Sequence, residues 1–299
     1  MAADARAPRA VQRHGRLTPY LFLLPFRVLF LGFVLIPAVF GLWVSFHDYD
    51  YLLPGKPWVG LQNYVDLFTP GSRDSADYWK SMLATGIFTV ASVPLLIVCP
   101  LGVALLLNRA FRGRAFFRAV FFAPYVLGVA VVGLLFRFVL DPNIGAVNYY
   151  LGHAIPWTTE VPWAWVSLVG MTVWWTLGFN AVIYLAGLQD ISPELYEAAR
   201  VDGASRWDEF RTVTLPGLRP VMAFVTTVTI LASANMFGQS FLLTKGASAN
   251  ETRTAIMLVA QTGFGNNRQG MAAAMSYVLA LILMGVSVLN IRLTQRREA

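Results

Sequence analysis

Long uncharged apolar runs alternate with short polar segments along this chain. A bilayer core takes about 20 apolar residues when it is crossed by a helix. Six runs qualify, and they cover approximately residues 20–46, 84–107, 116–140, 163–188, 221–243 and 271–291. The runs lack the period-2 alternation of membrane strands, which favours helices. The pattern therefore predicts an all-α polytopic membrane protein with six transmembrane helices.

The composition agrees with a membrane protein. Hydrophobic residues make up 57% of the chain and charged residues only 13%, against about 25% charged residues in typical soluble domains. The net charge of +7 arises from short basic clusters between the apolar runs. That arrangement is typical of cytoplasmic membrane loops, so no nucleic-acid partner is expected. With one cysteine, Cys99, which we expect to be a small buried apolar residue, and three scattered histidines, no metal site is expected.

The basic residues also predict the orientation. The two terminal tails and the loops after spans 2 and 4 carry fifteen of them, whereas the other three loops carry six. Because cytoplasmic loops are enriched in Lys and Arg, both termini are expected in the cytoplasm. The protein would then be a multi-pass cytoplasmic (inner) membrane protein. Cytoplasmic tails 1–18 and 294–299 would flank a six-helix domain, 19–293, whose first span is not a cleaved signal peptide.

Two arginines fall inside apolar runs. Arg27 is followed by 19 largely apolar residues, enough to span, so its side chain can extend to the cytoplasmic interface. Arg137 precedes Asp141 by four residues, the spacing of a helical ion pair. We expect both arginines to lie near the interfaces.

The loop between spans 4 and 5, residues 189–220, differs from every other segment. It contains ten charged residues, six acidic and four basic, and the charge count places it in the cytoplasm. Ser192 is a good N-cap, Pro193 suits the first helical position, and the helix is expected to extend to about Asp202. Gly203 would end it, because glycine tolerates positive φ.

A second short helix is expected directly afterwards. Ser205 and Asp208 have the spacing of a capping box, with Asp in place of Glu, and Pro216 would end this helix. Several side chains of the two helices are apolar: Leu195, Ala199, Trp207, Phe210 and Val213. A capped amphipathic projection of this kind is suited to a groove on a partner protein.

The loop resembles the signature of binding-protein-dependent ABC importer permeases. That signature is Glu-Ala-Ala, three residues, Gly, nine residues and Ile-x-Leu-Pro. Here Glu197-Ala198-Ala199 precede Gly203, and nine residues separate Gly203 from Val213-Thr214-Leu215-Pro216, with Val in place of Ile. Tyr20 to Pro25 and Thr244-Lys245-Gly246 are similar to the sugar-permease branch, in particular to the first permease of a pair in maltose- or glycerol-phosphate-type systems.

The resemblance implies a type I ABC importer transmembrane domain that moves a sugar or related polyol by alternating access. The implied partners are a second permease subunit, two cytoplasmic ATPase subunits and an extracytoplasmic solute-binding protein. The residues that would couple to the ATPase are Glu197, Ala198, Ala199, Asp202, Gly203, Ala204, Trp207, Leu215 and Pro216.

The chain itself is not expected to be an enzyme. A phosphate-binding loop requires Gly-x-x-x-x-Gly-Lys-Ser/Thr, and the one Gly-Lys pair, Gly55-Lys56, is followed by Pro57. ATP and Mg²⁺ would therefore be bound by the partner ATPase, and no cofactor is expected in this chain. The alternative function is a stand-alone secondary carrier or channel, which would transport without an ATPase.

Polar side chains within the spans are candidates for the substrate path: Asn180, Tyr184, Ser233, Asn235, Gln239 and Ser240. Amides and hydroxyls can bind an uncharged polyol, but they can equally join helices to one another. Trp174 and Trp175 are expected to be packing or membrane-belt residues. The outer segments 47–83 and 244–270, the second with a short helix over Ile256 to Val259, could contact the binding protein. No acidic residue lies in the middle of a span, which fits a neutral substrate.

Overall fold

The computed structural model describes residues 18–295. Within that range the chain is helical, and the only strand-like pairing is an isolated bridge between His47 and Trp58. Residues 1–17 and 296–299, with the arginines counted in them, lie outside the described residues.

The helices follow one another with short connections. In chain order they are α1 (Thr18–Phe22), α2 (Leu24–Ser45, with a π-helical turn at Leu31–Leu35), α3 (Gln62–Phe68), α4 (Arg73–Asn108), α5 (Arg114–Val126), α6 (Val129–Val139), α7 (Ala146–Leu151), α8 (Trp163–Gln189), α9 (Pro193–Val201), α10 (Arg206–Gly217), α11 (Arg219–Ala234), α12 (Ala255–Gly265) and α13 (Gln269–Gln295).

Four of these helices, α2, α4, α8 and α13, are long and apolar enough to cross a membrane. Two further spans result if each bent pair is counted as one: α5 with α6, bent by 94°, and α10 with α11, bent by 66°. Helix α4 begins at Arg73, within the segment expected to be an outer loop, because the Ser72 hydroxyl accepts the Ser75 amide and starts the helix early. The short helix expected over Ile256 to Val259 is present within α12.

Two spans that were expected to be continuous are broken. The run 116–140 is interrupted at Leu127 and Gly128, just after Pro124, and the chain turns sharply there. The run 221–243 stops being helical at Ala234, and a π-helical turn, Ser240–Thr244, follows an irregular stretch. The two breaks lie together, since a Cβ at Gly238 would lie 2.9 Å from Val129. Helix breaks at membrane depth persist only where the protein buries them or where they line a cavity.

The core is divided among three apolar clusters. The first joins the C-terminal halves of α4 and α8 to Leu218 and the start of α11. The second packs α3 and α13 against the N-terminal end of α4. The third surrounds the two breaks and includes Phe88, Val132 and Met236. In contrast, nearly all apolar side chains of α2 are exposed on the isolated chain, which is expected of a helix in contact with lipid or a partner.

Three single-residue expectations can now be compared with the structure. The Arg27 guanidinium lies 4.9 Å from the centre of the Tyr20 ring, at the N-terminal end of α2. The Asp141 carboxylate accepts the backbone amides of Asn143 and Ile144 at 2.9 and 3.1 Å, which lowers its pKa. Asp141 therefore caps the turn after α6, and the charge of Arg137 lowers its pKa further as a smaller effect. Cys99 is half-buried rather than buried.

Candidate functional site

The segment Pro193–Gly217, which we name the elbow, contains the residues of the sequence signature. Its first helix, α9, begins where the Ser192 hydroxyl accepts the Glu194 amide at 3.3 Å, with Pro193 in the first position. Its second helix, α10, begins with a complete capping box, in which the Ser205 hydroxyl and the Asp208 carboxylate each accept the other's backbone amide. Both predicted helix starts are confirmed.

The turn between the two helices explains the spacing of the signature. Gly203 has φ +81°, a left-handed conformation that favours glycine. Across it the Ala204 amide donates to the Ala199 carbonyl at 2.9 Å, and the Gly203 amide donates to the Arg200 carbonyl at 3.0 Å. These two bonds define a Schellman motif. The motif favours glycine at the left-handed position, which is Gly203, four residues after Ala199.

The elbow is further closed by contacts between its helices. Arg200 donates to Glu209 at 2.7 Å, which raises the pKa of Arg200, and the Tyr196 and Thr214 hydroxyls are 3.0 Å apart. Helix α10 ends at Gly217, one residue after the predicted end at Pro216. The following residue, Leu218, is fully buried in the core cluster of α4 and α8, so the elbow is fixed at the base of the spans.

The elbow exposes several large apolar side chains among its charged residues. Leu195, Val201 and Trp207 are 56%, 87% and 67% exposed, and the Trp207 ring stacks on Phe210 with centroids 5.4 Å apart. Of the residues predicted to couple to the ATPase, Trp207 is exposed, as are Glu197, Ala198, Asp202 and Gly203, whereas Ala199, Ala204, Leu215 and Pro216 are half-buried. A surface with large exposed apolar side chains is typical of a protein–protein contact.

A second feature lies at the two breaks, where a cleft of about 360 Å³ opens between α5, α8 and α11. Its walls combine aromatic rings, hydroxyls and amides. The Tyr125 and Phe179 rings stack at 4.4 Å, and Trp175 lies beside them. Among the cleft-lining residues in the described part of the chain, none is charged. The lining therefore offers flat apolar surfaces and neutral hydrogen-bonding groups to a bound molecule.

Side chains from other elements satisfy carbonyls at the two breaks. The Trp175 indole donates to the Leu127 carbonyl at 2.9 Å. The Thr254 hydroxyl donates to the Met236 carbonyl at 2.6 Å. Such donors keep an irregular backbone stable at membrane depth, where no bulk water replaces them.

The structure brings together four of the six predicted path residues. Asn180, Ser233, Asn235 and Gln239 all line the cleft. Asn180 also donates to the Leu96 carbonyl at 3.1 Å, and Ser233 accepts from Ser92 at 3.2 Å, so both join helices as well.

The other two predicted residues lie elsewhere. Tyr184 is buried in the core beside the elbow, and no hydrogen-bond partner of its hydroxyl is found within the described range 18–295. The Ser240 hydroxyl donates to the Thr252 carbonyl at 2.5 Å, on the far side of the break.

Sequence reasoning missed several cleft residues. Trp175, expected only to pack or to lie at the membrane surface, is in the wall. Thr172 and Thr176 also line the cleft, and they precede Asn180 at intervals of four. That helical stripe of polar side chains was the available signal. Tyr125 and Phe179 carried no signal beyond their apolar character.

Comparisons with known proteins agree with this geometry. Residues 79–298 match the family described as binding-protein-dependent transport system inner membrane component. The chain is 30% identical over 282 residues to the probable starch degradation products transport system permease protein AmyD of Thermoanaerobacterium thermosulfurigenes, with 93% of this chain and 94% of that protein covered. It is 29% identical over 283 residues to the trehalose/maltose transport system permease protein MalF of Thermococcus litoralis, with 93% and 94% covered.

A solved structure shares the fold. A chain of the bacterial ABC transporter involved in the import of the acidic polysaccharide alginate superposes with a TM-score of 0.82, at 23% identity, with 93% of this chain and 95% of that chain covered. Fold and site thus define a polytopic membrane permease of the type I importer architecture. The chain belongs to the family of binding-protein-dependent transport system inner membrane components, the permease subunits of ABC importers.

Proposed function

We propose that this permease imports a neutral sugar or polyol and that a separate ATPase drives it through the elbow. The observation that carries the proposal is that one helix, α8, joins the two features. Its middle supplies Trp175 and Asn180 to the cleft, and its C-terminal end leads through Asp190 into the elbow. A displacement of the elbow is thereby transmitted to the cleft wall by a rigid element.

The chemistry of the cleft supports a neutral cargo. Amide and hydroxyl groups at Asn180, Ser233, Asn235 and Gln239 can exchange hydrogen bonds with sugar hydroxyls, and the aromatic wall offers a platform for the apolar face of a sugar ring. A charged cargo would be buried here without a counter-charge, which is costly. Relatives named for starch degradation products and for trehalose and maltose fit the same class.

The elbow supports docking of an ATPase from the cytoplasm. Its exposed apolar residues and capped helices form a preformed projection, and the excess of basic residues on this side of the spans indicates that it is cytoplasmic, as are both termini. ATP and Mg²⁺ are then bound by the partner ATPase, and this chain is a non-catalytic translocation subunit. A second permease subunit completes the path, and the exposed face of α2 is available for contact with it or with lipid.

The test is reconstitution. The chain is placed in proteoliposomes with its neighbouring permease and ATPase subunits, and the solute-binding protein is added with maltose or with a uronic-acid oligosaccharide. We expect maltose or another neutral sugar to stimulate ATP hydrolysis and to accumulate in the compartment that contains ATP. Uptake that proceeds without the ATPase and follows an ion gradient would instead support a stand-alone carrier.

A further inference from the structure

A short buried segment outside the cleft contacts one of the two breaks. Thr252, Thr254 and Ala255 are fully buried and Arg253 is 7% exposed, although the first three of these four residues lie in the connection that precedes α12. We name Thr252–Ala255 the strap. Three polar residues in succession are costly to bury unless their polar groups are bonded. The partners of the strap therefore indicate what it holds in place.

Two strap residues bond the broken span. The Thr254 hydroxyl donates to the Met236 carbonyl at 2.6 Å, within the irregular stretch after α11. The Thr252 carbonyl accepts the Ser240 hydroxyl at 2.5 Å, and its own hydroxyl lies 2.8 Å from that of Thr244. The strap thus bonds the broken span at three successive places, namely Met236, Ser240 and Thr244.

The other strap residues bond α4. The Ala255 amide donates to the Thr85 hydroxyl at 2.9 Å, and the Arg253 guanidinium donates to Asp77 at 2.8 Å. Thr85 in turn donates to the Ser81 carbonyl within α4. Since α4 is a continuous helix of 36 residues, the strap fixes the irregular stretch against a rigid element.

Met236 lies between the strap and the cleft. Met236 is buried, yet it lines the cleft together with Asn235 and Gln239. From this geometry we propose that Thr254 is a positioning residue for transport: its bond to the Met236 carbonyl sets the backbone from which the Asn235 and Gln239 amides enter the cleft. The effect of Thr254 on transport rests on the proposed function, in which the cleft binds the cargo.

Loss of this single bond has two consequences that can be measured. Thr254→Val keeps the side-chain shape but leaves the Met236 carbonyl without its donor in a buried place. The irregular stretch then opens more readily, and the side-chain amides of Asn235 and Gln239 lose their fixed positions.

Two variants serve as controls. Thr254→Ser keeps the hydroxyl that donates to the Met236 carbonyl. Thr89→Val is a matched control, because the Thr89 hydroxyl donates only to the carbonyl four residues earlier in its own helix.

The first measurement is hydrogen exchange on the complete transporter in lipid nanodiscs. We expect Thr254→Val to accelerate exchange in the peptide covering residues 235–241 by about tenfold, whereas Thr254→Ser and Thr89→Val retain the wild-type rate. An unchanged rate in Thr254→Val would overturn the inference. This readout does not depend on the cargo, so it remains decisive even if the transporter proves to carry something other than a sugar.

The second measurement separates positioning from a purely structural role. In proteoliposomes we expect Thr254→Val to lower several-fold the number of sugar molecules imported per ATP hydrolysed, and Thr254→Ser to restore it. A ratio equal to wild type in a Thr254→Val transporter that shows the faster exchange would contradict the positioning role. Failure of the wild type itself to couple sugar to ATP would count against the proposed function, while the exchange data would still decide whether Thr254 holds the break.

Discussion

The Ala204 amide donates to the Ala199 carbonyl across Gly203, at 2.9 Å. This bond closes the turn between the two helices of the elbow, and it forms only because Gly203 adopts φ +81°. The elbow is consequently a fixed shape rather than a flexible loop. A fixed shape is what a projection needs if it is to transmit displacement to the spans.

Gly203→Ala tests that turn with little steric interference, because no heavy atom lies within 4 Å of the added Cβ. We expect a cost of about 1–2 kcal/mol, the penalty of the left-handed conformation for an L-residue. The expected result is a small loss in thermal stability with a larger loss in binding-protein-stimulated ATP hydrolysis. Gly203→Asn should be milder, since Asn tolerates this conformation. Equal stimulation in wild type and Gly203→Ala would show that the turn geometry is unimportant for coupling.

Gly178→Ala tests the close packing of α5 on α8. A Cβ at this position would lie 2.0 Å from the Phe121 carbonyl oxygen, so the two helices must separate. We expect a destabilisation of about 1–3 kcal/mol or more and loss of the Tyr125–Phe179 stack in the cleft wall. Gly170→Ala, on the same helix with no atom within 4 Å of its Cβ, is the control and should equal or exceed wild-type stability, because Ala favours a helix interior over Gly by about 1 kcal/mol. Thermal unfolding in detergent gives the comparison, and similar midpoints for the two variants would refute the packing argument.

Trp175→Phe removes one hydrogen bond from the break between α5 and α6. The ring surface is largely kept, but the Leu127 carbonyl loses its donor, and at membrane depth no bulk water replaces it. We expect slower sugar uptake with the complex still assembled. The neighbouring Trp174 packs against Phe136 with centroids 5.3 Å apart, so Trp174→Phe should leave uptake near wild type. Equal uptake rates in both variants would exclude a special role for the indole N–H.

Tyr184 and Asn235 distinguish residues that line the cleft from residues that do not. Asn235→Ala should reduce uptake because it removes an amide from the cleft wall, where its nitrogen donates to the Leu231 carbonyl and its oxygen can accept from a cargo hydroxyl. Tyr184→Phe removes a buried hydroxyl with no partner in residues 18–295, so we expect unchanged uptake and a stability gain of about 1 kcal/mol. Uptake assays and thermal unfolding check both variants. A transport defect in Tyr184→Phe would return Tyr184 to the substrate path.

The elbow could be predicted from the sequence because its determinants are local. The Ser192 cap, the Gly203 turn and the Ser205–Asp208 box each involve residues within five positions of one another. Such interactions depend little on tertiary packing. The predicted end of α10 at Pro216 differs from the observed end at Gly217 by one residue, which is the usual uncertainty of a helix boundary.

The two breaks could not be predicted in the same way. The donors to Leu127 and Met236 lie 48 and 18 residues further along the chain. An apolar run that satisfies the length criterion of a span gives no indication that distant side chains will stabilise a break within it. Pro124, Gly128 and Gly238 were the local signals. Four of the six path residues nevertheless line the cleft, because polar side chains in a span tend to face a cavity.

The most direct test of the central claim is a cross-link between the elbow and the ATPase. In a Cys99→Ser background, Val201→Cys places a thiol at an 87% exposed position on the elbow, and Tyr150→Cys places one at an 84% exposed position on α7, which the charge pattern assigns to the opposite side. We predict that a short bifunctional reagent joins the Val201→Cys chain, but not the Tyr150→Cys chain, to the ATPase subunit of the assembled transporter. A cross-link from Tyr150→Cys alone would contradict the account.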